Sequence, residues 1–268
     1  KIEGILFQGN VPEEKNIFKI KTSIKNFFLK SAINNNIFDR VLCMSELYYE
    51  FLRNKLEGEN RKKVGLCPDP CETGKVFEVS EARKSLSLPQ GAKIVGMVGT
   101  INKRKGADLL IKSFLERNHK DNEFILLAGK QTEDIKKLIR YCKSIFPEKI
   151  RHVIEINRFL SQEEFLLAIA AVDAVAVVYP AHFGSSGILI QAAAAKKPVL
   201  GSAFSWVGYA IKKYNLGYCC NVCEHAELTK GLEWAFGNPT FSVDGASMLV
   251  QQNTNEKFRE VILENIRC

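Results

Sequence analysis

Three stretches gather side chains whose types and spacing suit the binding of an anion. In Gly99-Thr100-Ile101-Asn102-Lys103-Arg104-Lys105-Gly106, three consecutive cations precede a glycine that opens a helical pattern. That arrangement suits a diphosphate, whose charge it would neutralise, and equally suits a solvated charged loop. In Ala181-His182-Phe183-Gly184-Ser185-Ser186-Gly187, small residues let the backbone approach a ligand, and the serine hydroxyls add donors. A helix starting at Gly187 would add free N–H groups and a dipole that favour an anion. The bland reading of the same segment is a tight turn with a serine cap. In Asn157-Arg158-Phe159-Leu160-Ser161, Arg158 is placed either to touch a nucleotide or to pair with a nearby carboxylate. Lys130, just after Gly129 at a predicted strand end, is a weaker case of the same kind.

Other chemistries fit poorly. The histidines at 119, 152, 182 and 225 have no motif-level serine or cysteine partner, and only His182 lies in a candidate loop. The glycines at 96, 99 and 106 are spaced wrongly for a dinucleotide fingerprint, and no acidic residue ends the second strand. Cys67 and Cys71 form a close pair, and Cys219, Cys220 and Cys223 a cluster, which raises the question of zinc. Cys219 and Cys220, however, end a predicted buried strand, where neighbours point to opposite faces. Reduced cysteines used as small apolar residues are the better reading, and no metal is expected.

The elements that must position these loops follow from periodicity. From Lys93 onward, short apolar runs alternate with amphipathic stretches, the pattern of βα units around a parallel sheet. Strands are predicted at Lys93–Val98, Phe124–Ala128, His152–Ile156, Ala174–Val178, Pro198–Leu200 and Leu216–Cys220. Helices are predicted at Ala107–Asn118 (with Leu109, Leu110, Ser113 and Phe114 inward), Glu133–Phe146 and Gly187–Ala195. Another starts at Ser161, with Glu164 completing a capping box and Phe165, Ile169 and Val172 as its apolar face. Two helices close the chain, the last about Glu256–Ile266.

The first part of the chain differs. Ile17–Ile33 is apolar and lysine-rich, Arg40–Met44 reads as a strand and Glu46–Leu56 as a helix. Val64-Gly65-Leu66 then runs into the rigid Cys67-Pro68-Asp69-Pro70, where a domain boundary is placed. The lysines around Ile17–Ile33 are scattered about the helical wheel, so a domain helix with solvated lysines fits better than a membrane-lying one.

The sequence has a net charge of +8 and a pI of about 9.0. That balance suits nucleic acid, an anionic membrane surface or a phosphorylated ligand. With the cations spread along the chain and no aromatic-interleaved basic motif, nucleic acid is the weakest of these and is not expected as a partner. No apolar run is long enough to span a bilayer. A soluble, cytoplasmic protein is expected, with a peripheral contact at the inner membrane face left open. The start at Lys1, running straight into apolar residues, reads as the interior of a longer protein.

In order along the chain, Cys67-Pro68-Asp69-Pro70, Glu81-Ala82-Arg83-Lys84-Ser85-Leu86, Val98-Gly99-Thr100 to Lys105-Gly106-Ala107-Asp108-Leu109-Leu110, Asn157 to Ser161, and Gly187 through Pro198-Val199-Leu200 resemble one known pattern. It is that of group 1 (family four) GT-B glycosyltransferases, and the resemblance covers roughly residues 60 to 236.

It implies an α/β fold: a Rossmann-like parallel sheet flanked by helices, preceded by a partial N-terminal α/β domain. The implied division is 1–72 for the remnant of the acceptor-side domain and linker, 73–250 for the nucleotide-sugar-binding domain, and 251–268 for a C-terminal helix. It further implies transfer of a sugar from a nucleotide-diphospho-sugar donor, with retention, no metal and no cofactor. The acceptor is left open among saccharides, lipid-linked molecules and small molecules.

By the same resemblance Lys105 binds the diphosphate, Gly184 to Gly187 receive the diphosphate or sugar, and Arg158 lies near the nucleotide. The family's two glutamates, with seven residues between them, fall on Phe183 and Gln191, and its arginine after the first strand's glycine falls on Thr100. Arg104 is a candidate to replace that arginine. His182, Ser185 and Ser186 are candidates to serve a divergent site, with Gln191 still able to hydrogen-bond a ribose hydroxyl. Loss of the acids equally suits a non-catalytic relative that binds a nucleotide or partner. A segment lacking most of the acceptor side is expected to bind nucleotide weakly and turn over little.

Overall fold

Short apolar runs separated by turns build two parallel sheets, joined by a strap containing Pro68 and Pro70. The computed structural model describes residues 3–6, 19–71 and 76–266. The first sheet has the order β1 (Glu3–Leu6), β2 (Arg40–Cys43), β3 (Val64–Leu66). Two helices accompany it, α1 (Lys19–Asn34) and α2 (Glu46–Lys55). The Ser45 side chain caps α2 by accepting from the Tyr48 amide. Ile33, Val41, Cys43, Tyr48, Leu52, Leu56 and Val64 form the core on one face. The beginning of the lysine-rich Ile17–Ile33 stretch lies outside the described residues. Within α1, Ile33 is buried, whereas Ile24, Phe27 and Phe28 are exposed.

Beyond the strap come α3 (Val79–Ser85), β4 (Lys93–Val98), α4 (Ala107–Glu116), β5 (Glu123–Ala128), α5 (Glu133–Ile145), β6 (Val153–Ile156) and α6 (Gln162–Ala170). They are followed by β7 (Ala174–Val177), α7 (Gly187–Ala194), β8 (Val199–Ser202), α8 (Ser205–Tyr214), β9 (Gly217–Cys220), α9 (His225–Phe236), α10 (Val243–Gln252) and α11 (Asn255–Ile266). The six strands are all parallel, in the order β6-β5-β4-β7-β8-β9. This is the strand order of a doubly wound nucleotide-binding sheet.

Alternation along each strand feeds two cores. Ile94, Val98, Val175 and Val177 face one side, and Val95, Met97, Ala174 and Ala176 the other. Cys219 packs toward the first side and Cys220 toward the second, as adjacent strand residues must. On α4, Leu110, Ser113 and Phe114 are buried as the periodicity predicts, but Ile111 and Leu115 are buried too and Leu109 only partly. The helix is enclosed on a wider arc than a single stripe.

The structure adds elements that the periodicity does not signal. β1 and β3 are too short to show an alternation. α8 has no side-chain cap, starts at Ser205 with a φ of +53°, and carries Gly208 in its interior. The usual start signals are therefore missing. Among the described residues three helices rather than two follow the last strand: α11 corresponds to the predicted Glu256–Ile266, and both α9 and α10 precede it. α11 returns to the first sheet, where Phe258, Val261 and Ile262 pack on Leu42, Met44 and Cys67. No helix among the described residues is long and apolar enough to cross a membrane.

Arg83 on α3 fastens the amino-terminal ends of the two central strands, β4 and β7. Only 4% exposed, its guanidinium donates to the carbonyls of Ala171, Gln90 and Ala92 and to the Asp173 carboxylate, the last at 2.8 Å. The same carboxylate accepts from the Ile94 amide at 2.6 Å. Replacing Arg83 by methionine leaves that set of acceptors unpaired inside the protein. The variant is expected to lose about 3 kcal/mol, read as a lower urea midpoint at unchanged slope.

Candidate active site

In an open α/β sheet, ligands bind where the strand order reverses, outside the carboxyl ends of the strands. Here that point lies between β4 and β7, and the loops leaving those two strands are Gly99–Gly106 and Tyr179–Ser186. They meet in a cleft of about 400 Å³ lined by Arg104, Lys105, His182, Ser185, Ser186, Gly187 and Gln191. Tyr179, Ile188, Gln162, Phe165 and Pro70 complete the lining. Two stretches some eighty residues apart in sequence thus face one space, which is what a diphosphate site requires of them.

The cationic turn is a short 3-10 helix, Lys103–Lys105, in which the Asn102 side chain accepts from the Lys105 amide at 3.0 Å. Gly106 follows in the left-handed region, at φ +75°, and hands the chain to α4. The Lys105 ammonium lies above Gly99, close enough that a Cβ there would stand 2.9 Å from Nζ. Burial, helped by the neighbouring Arg104 charge, lowers the Lys105 pKa to about 8. Among the described residues no carboxylate pairs with Lys105 or Arg104. A desolvated ammonium with no anion beside it is poised for one brought by a ligand.

Across the cleft, the hydroxyls that sequence offers as ligand donors already have protein partners. Ser186 is the N-cap of α7: its Oγ accepts from the Leu189 amide and donates to the Tyr179 hydroxyl, both near 3.5 Å. Ser185 donates to the Asp69 carboxylate at 2.8 Å. The His182 Nε2–H donates to the Ser185 carbonyl at 2.8 Å, and its ring meets Tyr179 edge-on. Burial holds the His182 pKa below the usual histidine value, with Arg104 and Lys105 acting in the same direction against the Ser185 bond. The ring is therefore neutral near pH 7, with Nε2 protonated. The open end of α7 carries Gly187, where a Cβ would meet nothing within 4 Å. Its backbone can face a ligand at contact distance.

Thr100, Lys130, Arg158 and Gly184 are not part of this lining. Thr100 is exposed and Gly184 buried. The Lys130 ammonium lies 4.7 Å from the centre of the Phe159 ring. Arg158 forms a bidentate pair with Glu164, at 2.6 and 2.7 Å, on the carboxylate that also accepts from the Ser161 amide in the capping box. The Arg158 hydrogen bonds pull the Glu164 pKa down to about 2. Of the two uses open to Arg158, the carboxylate has it. Arg158→Ala is accordingly expected to change nucleoside-diphosphate affinity less than threefold, in the range of an exposed ion pair, as measured by calorimetric titration.

The comparisons agree with this architecture. A sequence model of the family described as glycosyl transferases group 1 matches residues 78–256. The chain belongs to the group 1 glycosyl transferases. No curated protein matches the sequence. Among solved structures, sucrose-phosphate synthase from Thermosynechococcus elongatus is similar with a TM-score of 0.75 at 17% identity, over 99% of this chain and 67% of that one. Anabaena HepE, solved with UDP and glucose, has a TM-score of 0.73 at 16% identity, over 99% of this chain and 71% of HepE. A trehalose-phosphate synthase from Burkholderia vietnamiensis gives 0.72 at 12%, over 99% and 66%. The chain spans about two thirds of the length of these proteins.

This group 1 chain departs from the acidic pattern at two positions, of which Gln191 lines the cleft and Phe183 does not. Phe183 turns its ring onto Phe204, with centroids 5.0 Å apart. Gln191 keeps a buried Oε1 without a hydrogen-bond partner, an acceptor left over inside the cleft wall. Asp69 is the functional candidate that the loop motifs pass over. It sits 116 residues from Ser185 in sequence, and only its place in the proline strap hints at a fixed position. Among the described residues, no three potential ligands gather to hold a metal. Burial raises the Cys67 and Cys71 pKa values to about 11, which keeps both as thiols.

Proposed function

We propose that the chain transfers a sugar from a nucleotide-diphospho-sugar to an acceptor, with retention at the anomeric carbon. The observation that carries this reading is the meeting, in one switch-point cleft, of the N-terminus of α7 and the Lys105 ammonium, which no carboxylate pairs among the described residues. The UDP bound by HepE, a protein of the same fold, supports the choice of ligand class.

The chemistry follows from charge. As the bond between the anomeric carbon and the diphosphate breaks, negative charge grows on the phosphate oxygens. Lys105, with Arg104 beside it, is placed to take up that charge in a partly water-excluded site, where such stabilisation is strongest. The amides at the start of α7 add their dipole. His182, neutral and held by the Ser185 carbonyl, keeps the loop 182–186 in shape and presents its ring to the sugar end.

The acceptor, whether saccharide, lipid-linked or a small molecule, would approach from the side of the first sheet. There the exposed Phe27 and Phe28, with Lys25 and Lys30 on the same helix, suit a peripheral contact with an anionic membrane face of the cytoplasm.

The absence of acid at Phe183 and Gln191 favours a second reading, a relative that binds nucleotide without turnover. A thermal-shift screen of nucleoside diphosphates and their sugar conjugates, followed by assay of the stabilising conjugates for hydrolysis or transfer, separates the two. Stabilisation with release of sugar supports the transferase. Stabilisation without release across all donors supports the binder. No stabilisation by any nucleotide removes both.

A further inference from the structure

We infer that Asp69, held against the cleft loop by the strap between the two sheets, is the carboxylate that meets the hydroxyls of the donor's sugar. The inference rests on the donor reading above and adds to it the residue that would tell a sugar conjugate from a bare nucleoside diphosphate.

The strap is a fixed arm. Pro68 and Pro70 restrict the backbone on either side of Asp69. The Asp69 amide donates to the Asn253 side-chain oxygen at 3.0 Å, and the Cys71 amide to the Asn253 carbonyl at 2.9 Å. Asn253 is itself buried and donates to the Leu249 carbonyl at 2.8 Å. From this arm the Asp69 carboxylate reaches the cleft loop and accepts the Ser185 hydroxyl at 2.8 Å, while the next residue, Pro70, forms part of the cleft wall.

Charge divides the cleft into two ends. Arg104 and Lys105 form the cationic end, and among the described residues neither forms an ion pair with Asp69. The carboxylate therefore leaves the phosphate-binding cation unneutralised. It lies instead beside His182 and Ser185, and among the described residues it forms no ion pair. Burial penalises its ionised form, and the Ser185 hydroxyl only partly offsets this. Such a group gains from further neutral O–H donors and would repel a phosphate. A sugar attached to a diphosphate offers that combination, with the charge at one end and hydroxyls at the other. The two positions where acids are missing cannot do the same work: Phe183 is apolar and turned onto Phe204, and Gln191 carries no charge.

The test compares UDP with UDP-glucose, and GDP and ADP with their sugar conjugates, by calorimetric titration of the wild-type chain, Asp69→Asn and Ser185→Ala. The asparagine variant keeps the shape of the side chain and an oxygen for Ser185. The alanine variant leaves the carboxylate intact but without its positioning hydroxyl, and circular dichroism and melting check that both fold. The expected result is that nucleoside-diphosphate affinity stays within threefold in Asp69→Asn. The affinity of the sugar conjugate, relative to its diphosphate, falls about tenfold in Asp69→Asn and by less in Ser185→Ala, in line with the loss of charged hydrogen bonds. An unchanged ratio overturns the inference. So does an equal fall for diphosphate and conjugate, which would put Asp69 at the phosphates or in the fold. Failure of the wild-type chain to bind any of these nucleotides is a different result and overturns the donor reading along with it.

Discussion

Lys105→Met is expected to weaken nucleoside-diphosphate binding about a hundredfold and, at the same time, to make the unliganded protein more resistant to heat. The first effect follows from removing the buried cation of the cleft: a charge-assisted hydrogen bond to an anion in a partly desolvated site is worth about 1.5–3 kcal/mol. Any sugar transfer should fall further, about a hundred- to a thousandfold, because the charge on the leaving phosphate grows in the transition state.

The second effect follows from the sign of the pKa shift. Burial lowers Lys105 to about 8, so folding disfavours its protonated form. In the unliganded protein that group costs stability below pH 8, and the cost is relieved as pH rises from about 8 toward the ordinary lysine value, where the unfolded chain binds more protons than the folded one. Methionine removes the charge while filling similar space. The apo protein should gain about 2 kcal/mol near pH 7, allowing for partial relaxation around the site.

Ligand binding runs the other way, since it needs the ammonium. Affinity should be flat below about pH 7 and fall as pH climbs through 8, and the methionine variant should lose that fall. Melting scans and titrations across pH 6 to 9.5 read both effects. A variant that loses affinity and stability together would mean that Lys105 is held by the protein and not kept for a ligand.

The two loops that make this cleft were legible because each lies directly between a periodic strand and a periodic helix, where sequence patterns are least ambiguous. Lys105 and Gly187 could be assigned to strand ends without knowing the strand order. What the sequence left open was partnership. Whether Arg158 served a nucleotide or a carboxylate depended on Glu164, whose role in the capping box was visible but whose second use, as an arginine partner, was not. The hydroxyls of Ser185 and Ser186 read as ligand donors, yet one is consumed by a helix cap and the other by Asp69.

Contacts at long separation cannot be read from local pattern. Asp69 on Ser185 and α11 on the first sheet depend on how the second unit folds back on the strap, and Arg83 on Asp173 on how that unit closes on itself. α8 was missed for a local reason instead. Its start lacks a capping side chain, and Gly208 lies in its middle because a Cβ there would stand 2.2 Å from the Ala203 carbonyl oxygen. The residue that argues against a helix in sequence is the one that lets this helix sit against the end of β8.

Gly106→Ala is the substitution expected to damage the fold of the cleft most. Gly106 ends the cationic turn and starts α4 with a φ of +75°, a conformation that costs an alanine about 1 kcal/mol. Space is the larger obstacle: a Cβ would lie 2.0 Å from the Val178 carbonyl oxygen, which belongs to the backbone leaving β7 and cannot swing aside as a side chain would. The turn after β4 and the segment after β7 are pressed together here with no room for a methyl group, and this contact sets the width of the cleft at the switch point.

Relieving the overlap means moving one backbone against the other, adding about 3 kcal/mol for a forced shift in a packed interior. The expected total is about 4 kcal/mol, read as a large fall in melting temperature. The displaced turn should carry Lys105 out of reach of α7, so nucleotide binding should be lost even below the melting point. Gly187→Ala provides the contrast, because nothing lies within 4 Å of its Cβ. That variant should melt like the wild type. If it nonetheless loses affinity for nucleoside diphosphates, the open space beside Gly187 is occupied by the ligand, and the close approach of that backbone to the phosphates is what the glycine is for.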